Sequence, residues 1–343
     1  MFAECKFLGK NVIKMGILYN KRGKKELFLL MNRRIFVVLA LLTAVMLEVR
    51  AQWDVQFSDY TALKSFYNPA VSGTDGKLNV AAVYSMQKVG YDDAPFTLFA
   101  GADMPVYFLS PRHGAGVSFF NDHIGIFSTT RIGLQYAYNV KVSKKGKLAI
   151  GAQGALLSEK IAPKNVKMED NSDPAFPTGE AKGTKVDMGV GLYYYHPKMW
   201  LGVSSQHLLA PSLWLEQRYE LEVPRMYYLM GGCNIKMKNS LLSLQPSFLV
   251  QTDMDTWRED VQCKVTYEHE EKKFYGGVGY SPNTSVTFLL GGNLHGVNLG
   301  YSYQMYTSGV GLIHGSHEVV VGYQTDLDLF KKGRNKHQSV RWL

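Results

Sequence analysis

From Asn79 onward the chain alternates apolar residues with small or polar ones at every second position, in runs of about eight to eleven residues that stop at turn signals. Only an extended strand turns a period of two into two separate faces, so this pattern commits most of the chain to β-sheet. Arg131 to Val142 is the clearest run. Ile132, Leu134, Tyr136, Tyr138, Val140 and Val142 share one face, and Arg131, Gly133, Gln135, Ala137, Asn139 and Lys141 share the other. Lys185 to Tyr195 sets Val186, Met188, Val190, Leu192 and Tyr194 against Asp187, Gly189, Gly191, Tyr193 and Tyr195. Gly296 to Met305 sets Val297, Leu299, Tyr301, Tyr303 and Met305 against Asn298, Gly300, Ser302 and Gln304.

The pattern predicts fourteen strands, near 79–87, 96–104, 114–121, 131–142, 147–157, 185–195, 199–207, 225–235, 241–251, 259–268, 274–281, 285–292, 296–305 and 316–326. A soluble sandwich also alternates, so the two faces decide between architectures. Here the apolar face is rich in Tyr, Val and Leu, while the other carries Gly, Ser, Asn, Gln, Asp and Lys instead of a packed aliphatic core. That inverts a water-soluble barrel and fits a transmembrane one, in which apolar side chains meet lipid and polar ones line the lumen. An even number of strands closes an antiparallel barrel without an open edge. The expected fold is therefore an all-β outer-membrane barrel over 79–328. Turns after even-numbered strands are short, such as His196-Pro197-Lys198, whereas Ser158 to Thr184 and Leu208 to Pro224 are long, as periplasmic turns and outer loops are. Pro105 to His113 and Pro282-Asn283-Thr284 are the exceptions. Tyr193-Tyr194-Tyr195, Tyr227-Tyr228, Tyr301, Tyr303 and Tyr306 lie near strand ends, where amphipathic rings settle at headgroup level.

The N-terminal region reads differently. Asn32-Arg33-Arg34 forms a basic stretch, Ile35 to Leu47 an apolar one, and Val49-Arg50-Ala51 a small-x-small site before Gln52. This is the tripartite pattern of an export signal over 31–51, starting at Met31, and 1–30 reads as an upstream start assigned in error. An apolar stretch of thirteen residues is too short for a spanning helix. The formal charge of +9 is concentrated there. Residues 1–51 hold 10 Lys/Arg and 3 Asp/Glu, leaving 28 against 26 beyond them, a net +2 with no basic cluster beside a stacking platform for nucleic acid. Of the cysteines, Cys233 and Cys263 fall on apolar strand positions, where a free buried thiol is expected, and no Cys follows the cleavage site to accept a lipid.

Catalytic constellations are missing. His314-Gly315-Ser316-His317-Glu318 offers two imidazoles and a carboxylate, but strand residues three apart point to opposite faces, so only a bend at Gly315 brings the two together on a metal. Gly202-Val203-Ser204-Ser205-Gln206 lacks the second glycine of a nucleophile elbow, and Gly114-Ala115-Gly116 opens a strand instead of leading into a helix. Asp122-His123, placed in the second outer loop, has no partnered serine. No enzyme, metal or cofactor is expected.

Longer motifs carry a resemblance. Gln56-Phe57-Ser58-Asp59-Tyr60 with Asn68-Pro69-Ala70-Val71-Ser72-Gly73, then Gly114-Ala115-Gly116-Val117-Ser118-Phe119 running to Asn121-Asp122-His123-Ile124-Gly125, Tyr136-Ala137-Tyr138, Tyr301-Ser302-Tyr303 and Gly315-Ser316-His317-Glu318-Val319 resemble the PorP/SprF-like membrane proteins of the type IX secretion system of Bacteroidetes. The resemblance spans roughly Gln52 to Leu329. Departures exist: Ser85-Met86-Gln87-Lys88 keeps only the Gln of an expected Arg, Trp and Gln, Gln304 replaces an Asp, and Trp342-Leu343 closes a basic tail over 329–343 instead of an aromatic ending the last strand. The resemblance implies a non-enzymatic outer-membrane component, with a role in protein secretion and gliding motility. Its implied partners are periplasmic ring or peptidoglycan-linking lipoproteins and one secreted adhesin. Its motif residues Asn68, Pro69, Ala70, Gly73, Gln87, Asn121, Asp122, Gly125, Gly315, Ser316, His317 and Glu318 are the candidate contacts. The charged loop Ser158 to Thr184, including Glu159 and Lys160, is long enough to present a binding surface. Segment 52–78, with Trp53, Phe57, Tyr60, Phe66 and Tyr67, is too aromatic for a free tail and either plugs the lumen or docks a partner from the periplasmic side. A porin or solute channel competes, since a polar, Gly-rich interior suits water. A fatty-acid transporter barrel ranks last, because 27 residues are few for its hatch.

Overall fold

A computed structural model describes residues 55–91, 93–107, 110, 112–162, 180–215, 219–239, 241–270, 272–308 and 315–327. The export signal, residues 1–30, Trp53, His314 and the basic tail lie outside them. The strands are β1 (Lys77–Met86), β2 (Phe96–Pro105), β3 (His113–Ile124), β4 (Phe127–Lys141), β5 (Lys147–Ile161), β6 (Ala181–His196), β7 (Met199–Gln206), β8 (Ser212–Leu215), β9 (Tyr219–Glu222), β10 (Met226–Cys233), β11 (Ile235–Lys236), β12 (Leu242–Thr252), β13 (Trp257–His269), β14 (Lys272–Ser281), β15 (Ser285–Leu294), β16 (Val297–Tyr306) and β17 (Ser316–Asp326). β8 and β9 form a separate hairpin in the loop between β7 and β10, and β11 is a two-residue continuation of β10 across Asn234. The other fourteen pair antiparallel with their neighbours, and β17 closes on β1 from Lys77↔Asp326 to Met86↔His317. Closure satisfies every ladder within the ring, the condition for crossing a bilayer with strands. Among the described residues no helix is long and apolar enough to do so.

Side chains sort by face as the alternation predicts. On β4 the outward Ile132, Leu134, Tyr136 and Val140 are exposed, and the inward Arg131, Gln135, Ala137 and Asn139 are buried. On β6 the outward Val186, Met188, Val190 and Leu192 are exposed, while Asp187 and Tyr193 are buried. Side chains that shun water thus lie outside, where only lipid satisfies them.

Several strand ends differ from the sequence expectation. β3 runs through Ile124, so Asp122 and His123 lie on a strand and not in the second outer loop. β5 extends to Ile161 and β6 begins at Ala181, shortening the expected loop Ser158 to Thr184 to 162–180. Glu159, counted there as a binding-surface charge, points into the barrel and accepts from Thr129 Oγ1 at 2.8 Å. Hydrogen bonding here outlasts the apolar alternation, because strands projecting past the hydrocarbon no longer need apolar outward residues. Cys233 and Cys263 are free, as expected, but Cys233 is exposed and Cys263 half-buried: they lie on the outward face instead of in a core. Tyr193 and Tyr228, grouped with the headgroup aromatics, turn into the lumen and are buried.

Candidate functional site

The lumen holds the protein's own N-terminal segment. Val55 lies at the long-loop end, lining a cavity of about 190 Å³ with Phe120, Asp122, Ile124 and Met226. The chain then crosses the barrel interior through a helical turn, Lys64–Tyr67, and a 3-10 turn, Pro69–Val71, and reaches the short-turn end before β1. Its aromatics make it a solid core: Phe57, Tyr60, Phe66 and Tyr67 are buried against inward Val83, Phe99, Phe120, Met226, Tyr228, Met230, Leu249 and Val320. These residues come from β1, β2, β3, β10, β12 and β17, which only a segment inside the ring can touch together. Phe66 meets Phe57, Tyr67 and Phe99 edge to face at 5.0 to 5.3 Å, and the Arg131 guanidinium lies 5.0 Å from its ring.

Asn68-Pro69-Ala70-Val71-Ser72-Gly73 sits on the wall formed by β3 to β7. Asn68 is fully buried; its Nδ2 donates to the Leu192 carbonyl at 2.9 Å and the Val203 carbonyl at 3.3 Å, and its Oδ1 accepts from Ala70 N at 2.9 Å. The wall receives the segment at inward glycines. A Cβ on Gly151 would stand 2.3 Å from Ala70 N, one on Gly191 2.1 Å from Asn68 Oδ1, and one on Gly114 2.0 Å from the Ser72 carbonyl oxygen. Ser72 Oγ donates to Gln135 Oε1 at 2.7 Å, and Gln135 Nε2 donates to the Ser65 carbonyl at 2.9 Å. Gly73, at φ +68°, donates its N–H to Asp103 Oδ1 at 2.8 Å; a Cβ there would meet Gly114 Cα at 2.8 Å.

The opposite wall holds the segment through charge. Glu318 on β17 is 1% exposed, and its two carboxylate oxygens accept the backbone N–H groups of Ser58 at 2.8 Å and Asp59 at 2.9 Å. Lys264 on β13 donates to Asp59 Oδ1 at 2.6 Å and to Thr61 Oγ1 at 2.7 Å, and Gln262 Nε2 donates to the Ser58 carbonyl. Burial alone would raise the Asp59 carboxyl, but the Lys264 ammonium and the donated hydrogen bonds more than offset it and hold it below the ordinary carboxylate range. Lys64, whose ammonium lies 4.0 Å above the Trp200 ring, is lowered to about 8, by burial first and then by the Lys264 charge. Beside the segment a polar cavity of about 430 Å³ remains, lined by Asp59, Lys64, Asp75, Asp103, Lys264 and Tyr275 among others.

The twelve candidate residues fall into three places. Asn68, Pro69, Ala70, Gly73 and Glu318 belong to the lumen contact. Asp122 faces the lumen near the long-loop end and accepts from Thr97 Oγ1 at 2.6 Å, while Asn121 faces outward and donates to Thr130 Oγ1 at 2.9 Å. Gly125, at φ +58°, makes the β3–β4 turn. The remainder gather where β1 meets β17. Gln87 N donates to the Pro95 carbonyl at 2.8 Å, Val89 N to the Gly315 carbonyl at 3.1 Å, and Lys88 N to Ser316 Oγ at 3.2 Å. His317 faces outward, 2.7 Å from the Tyr301 hydroxyl, so it and Glu318 lie on opposite sides of the wall. No group of three or more potential metal ligands occurs among the described residues. Sequence reasoning placed Arg131 and Gln135 on the inner face but gave neither a partner, and it missed Lys264 and Gln206, whose Nε2 donates to the Phe66 carbonyl at 2.6 Å.

A closed antiparallel barrel, apolar outside and filled inside by its own N-terminal segment, defines an outer-membrane β-barrel protein with an occupied lumen. Residues 49–323 match the model of the family described as type IX secretion system membrane protein PorP/SprF, and the chain belongs to that family. No match was found among curated proteins. Similar solved structures include a FadL homologue from Pseudomonas aeruginosa (TM-score 0.45, 13% identity, covering 76% of this chain and 92% of that one). They also include the monoaromatic hydrocarbon channel CymD (0.46, 12%, 80% and 94%) and the KdgM porin (0.35, 9%, 71% and 98%).

Proposed function

We propose that this protein is a non-enzymatic outer-membrane platform of the type IX secretion system, exported by cleavage near Ala51/Gln52. In this reading it docks periplasmic ring or peptidoglycan-linking lipoproteins and assists the secretion of one surface adhesin. The observation that carries the reading is the filled lumen. Glu318, Lys264, Asn68 and Gln206 fix a segment across the interior, so the barrel offers partners its rims and not an open bore. The family motifs at Asn68 and Glu318 then serve partners indirectly, by holding the shape of the barrel from within.

A channel is the second reading, favoured by the polar cavity of about 430 Å³ beside the plug. Pull-down of the tagged mature protein from native outer membranes in mild detergent, with mass spectrometry of what is bound, separates the two. Recovery of periplasmic lipoproteins or one large adhesin is the expected result. A barrel that comes down alone and conducts small solutes in planar bilayers would overturn the platform reading in favour of the channel.

A further inference from the structure

The wall that carries the plug on its inner side has a groove on its outer side. It measures about 670 Å³, within the roughly 300–1,000 Å³ range of small-molecule sites. Outward Tyr136, Ile150, Val190, Leu192, Val203 and Tyr227, from β4, β5, β6, β7 and β10, surround the small Ala152 and Ser205 at its floor. It is nearly all apolar and lies on the lipid-facing surface. At β4 and β5 it lies toward the short turns, with Tyr138 and Ile150 three residues from Lys141 and Lys147, and it rises across the sheet to Ser205 and Tyr227, six residues from Met199 and Cys233. At about 3.3 Å per residue that is roughly 10 Å from the rim at β4 and β5 and roughly 20 Å at β7 and β10. One leaflet contributes about 15 Å of hydrocarbon. In an outer-membrane barrel the short turns face the periplasm, and strands tilted by about 45° turn those lengths into heights of about 7 and 14 Å, which puts the groove in the periplasmic leaflet. Tyr136 and Tyr138, packed with His113, mark its headgroup edge; the Tyr136 hydroxyl lies 2.5 Å from His113 Nδ1.

The rim beside this groove has one sign of charge. The turns β4–β5 and β6–β7 expose Lys144, Lys145 and Lys198, the segment between β10 and β12 adds Lys236 and Lys238, and residues 141–147, 196–199 and 233–242 contain no acid. None of these five lysines has an ion-pair partner among the described residues. By contrast, the β13–β14 turn balances Lys273 with Glu268 at 2.9 Å. An apolar groove within one leaflet, its β4–β5 end beneath an unpaired cationic rim, has the chemistry of an anionic lipid in negative.

We propose that this groove is a binding site for an anionic phospholipid of the periplasmic leaflet, with an acyl chain between β4 and β10 and the headgroup phosphate on Lys144, Lys145 and Lys198. The occupant is a lipid and not a second barrel, because the surface is concave and its polar complement lies only at one end.

The test uses the full mature barrel in mixed micelles with dioleoyl phosphatidylglycerol or dioleoyl phosphatidylcholine, each carrying a photoreactive diazirine on one acyl chain. Retention is read by native mass spectrometry and the labelled residues by peptide mapping. Phosphatidylglycerol is expected to be retained at least tenfold over phosphatidylcholine and to label the region of Ile150 and Leu192. Lys144→Gln/Lys145→Gln/Lys198→Gln should erase the preference, each lysine contributing about fivefold. Ala152→Trp fills the groove from the lipid side and should abolish labelling at Ile150. Equal retention of both lipids, or labels spread evenly around the barrel, would overturn the site. A preference lost in the lysine variant yet unchanged in Ala152→Trp would overturn the groove, leaving only a cationic rim. Recovery from native membranes of a protein-linked acyl chain there would overturn the phospholipid assignment.

Discussion

Glu318→Ala tests the plug at its best-defined contact. The carboxylate accepts two backbone N–H groups, from Ser58 and Asp59, at 2.8 and 2.9 Å in a site closed to water. A hydrogen bond to an ionised group contributes about 1.5–3 kcal/mol net, and a buried donor left unsatisfied forfeits a similar amount. Losing both bonds should therefore lower the free energy of opening at residues 57–60 by about 3–6 kcal/mol. Since 1.4 kcal/mol is a factor of ten, amide exchange at Ser58 and Asp59 should accelerate by about 100-fold or more. Glu318→Gln retains one acceptor and turns an amide N–H toward the other donor, so it should fall between Glu318→Ala and the wild type. Hydrogen exchange with mass spectrometry in detergent reads the effect, with amides of β4 and β5 as an internal control of barrel integrity. Exchange at Ser58 and Asp59 within about threefold of wild type in Glu318→Ala, over an unchanged barrel, would show that Glu318 is no latch.

Gly151→Ala places a methyl 2.3 Å from Ala70 N and should cost the docked plug about 1–3 kcal/mol, raising proteolysis near Asn68. Gly154→Ala, on the same strand with nothing within 4 Å, should change nothing. Lys264→Met strands the buried Asp59 carboxylate and should cost about 3–5 kcal/mol, while adding Asp59→Leu should recover part of that loss, read by thermal melting of the plug contacts. Lys64 supplies a pH dependence. Its pKa is about 8 when docked and ordinary when released, so between pH 8 and 10 the released form binds more protons. Docking should therefore tighten as pH rises through that window, seen as slower exchange after correction for intrinsic rates. Lys64→Met should abolish the trend.

The barrel was legible because lipid imposes a rule on every second residue. On β4, Ile132, Leu134 and Tyr136 must be apolar to face hydrocarbon, and the opposite face is then free to be polar. The rule ends with the hydrocarbon, which is why Asp122, His123 and Glu159 read as loop residues although their strands continue past them. It also says nothing about what the polar face touches. Alternation assigns Gln135 and Arg131 to the inner face, yet only the folded ring brings Gln135 to Ser72 and Arg131 to Phe66.

The plug seat was illegible for a stronger reason. Its signal is an absence of side chains, at Gly114, Gly151 and Gly191, on three different strands. Each reads alone as one more small inward residue, indistinguishable from a glycine that faces water. Their common function appears only when Asn68 meets the Leu192 carbonyl, 124 positions along the chain. The two family motifs most visible in the sequence, Asn68 within the segment and Glu318 on β17, then turn out to fix that one segment to opposite walls. Such a pair constrains one object from two sides, so neither motif can drift without loosening the other's contact. Substitutions at Asn68 and Glu318 should therefore couple: the double variant should open residues 57–70 by less than the sum of the two single effects, because the first loss already releases much of what the second would free.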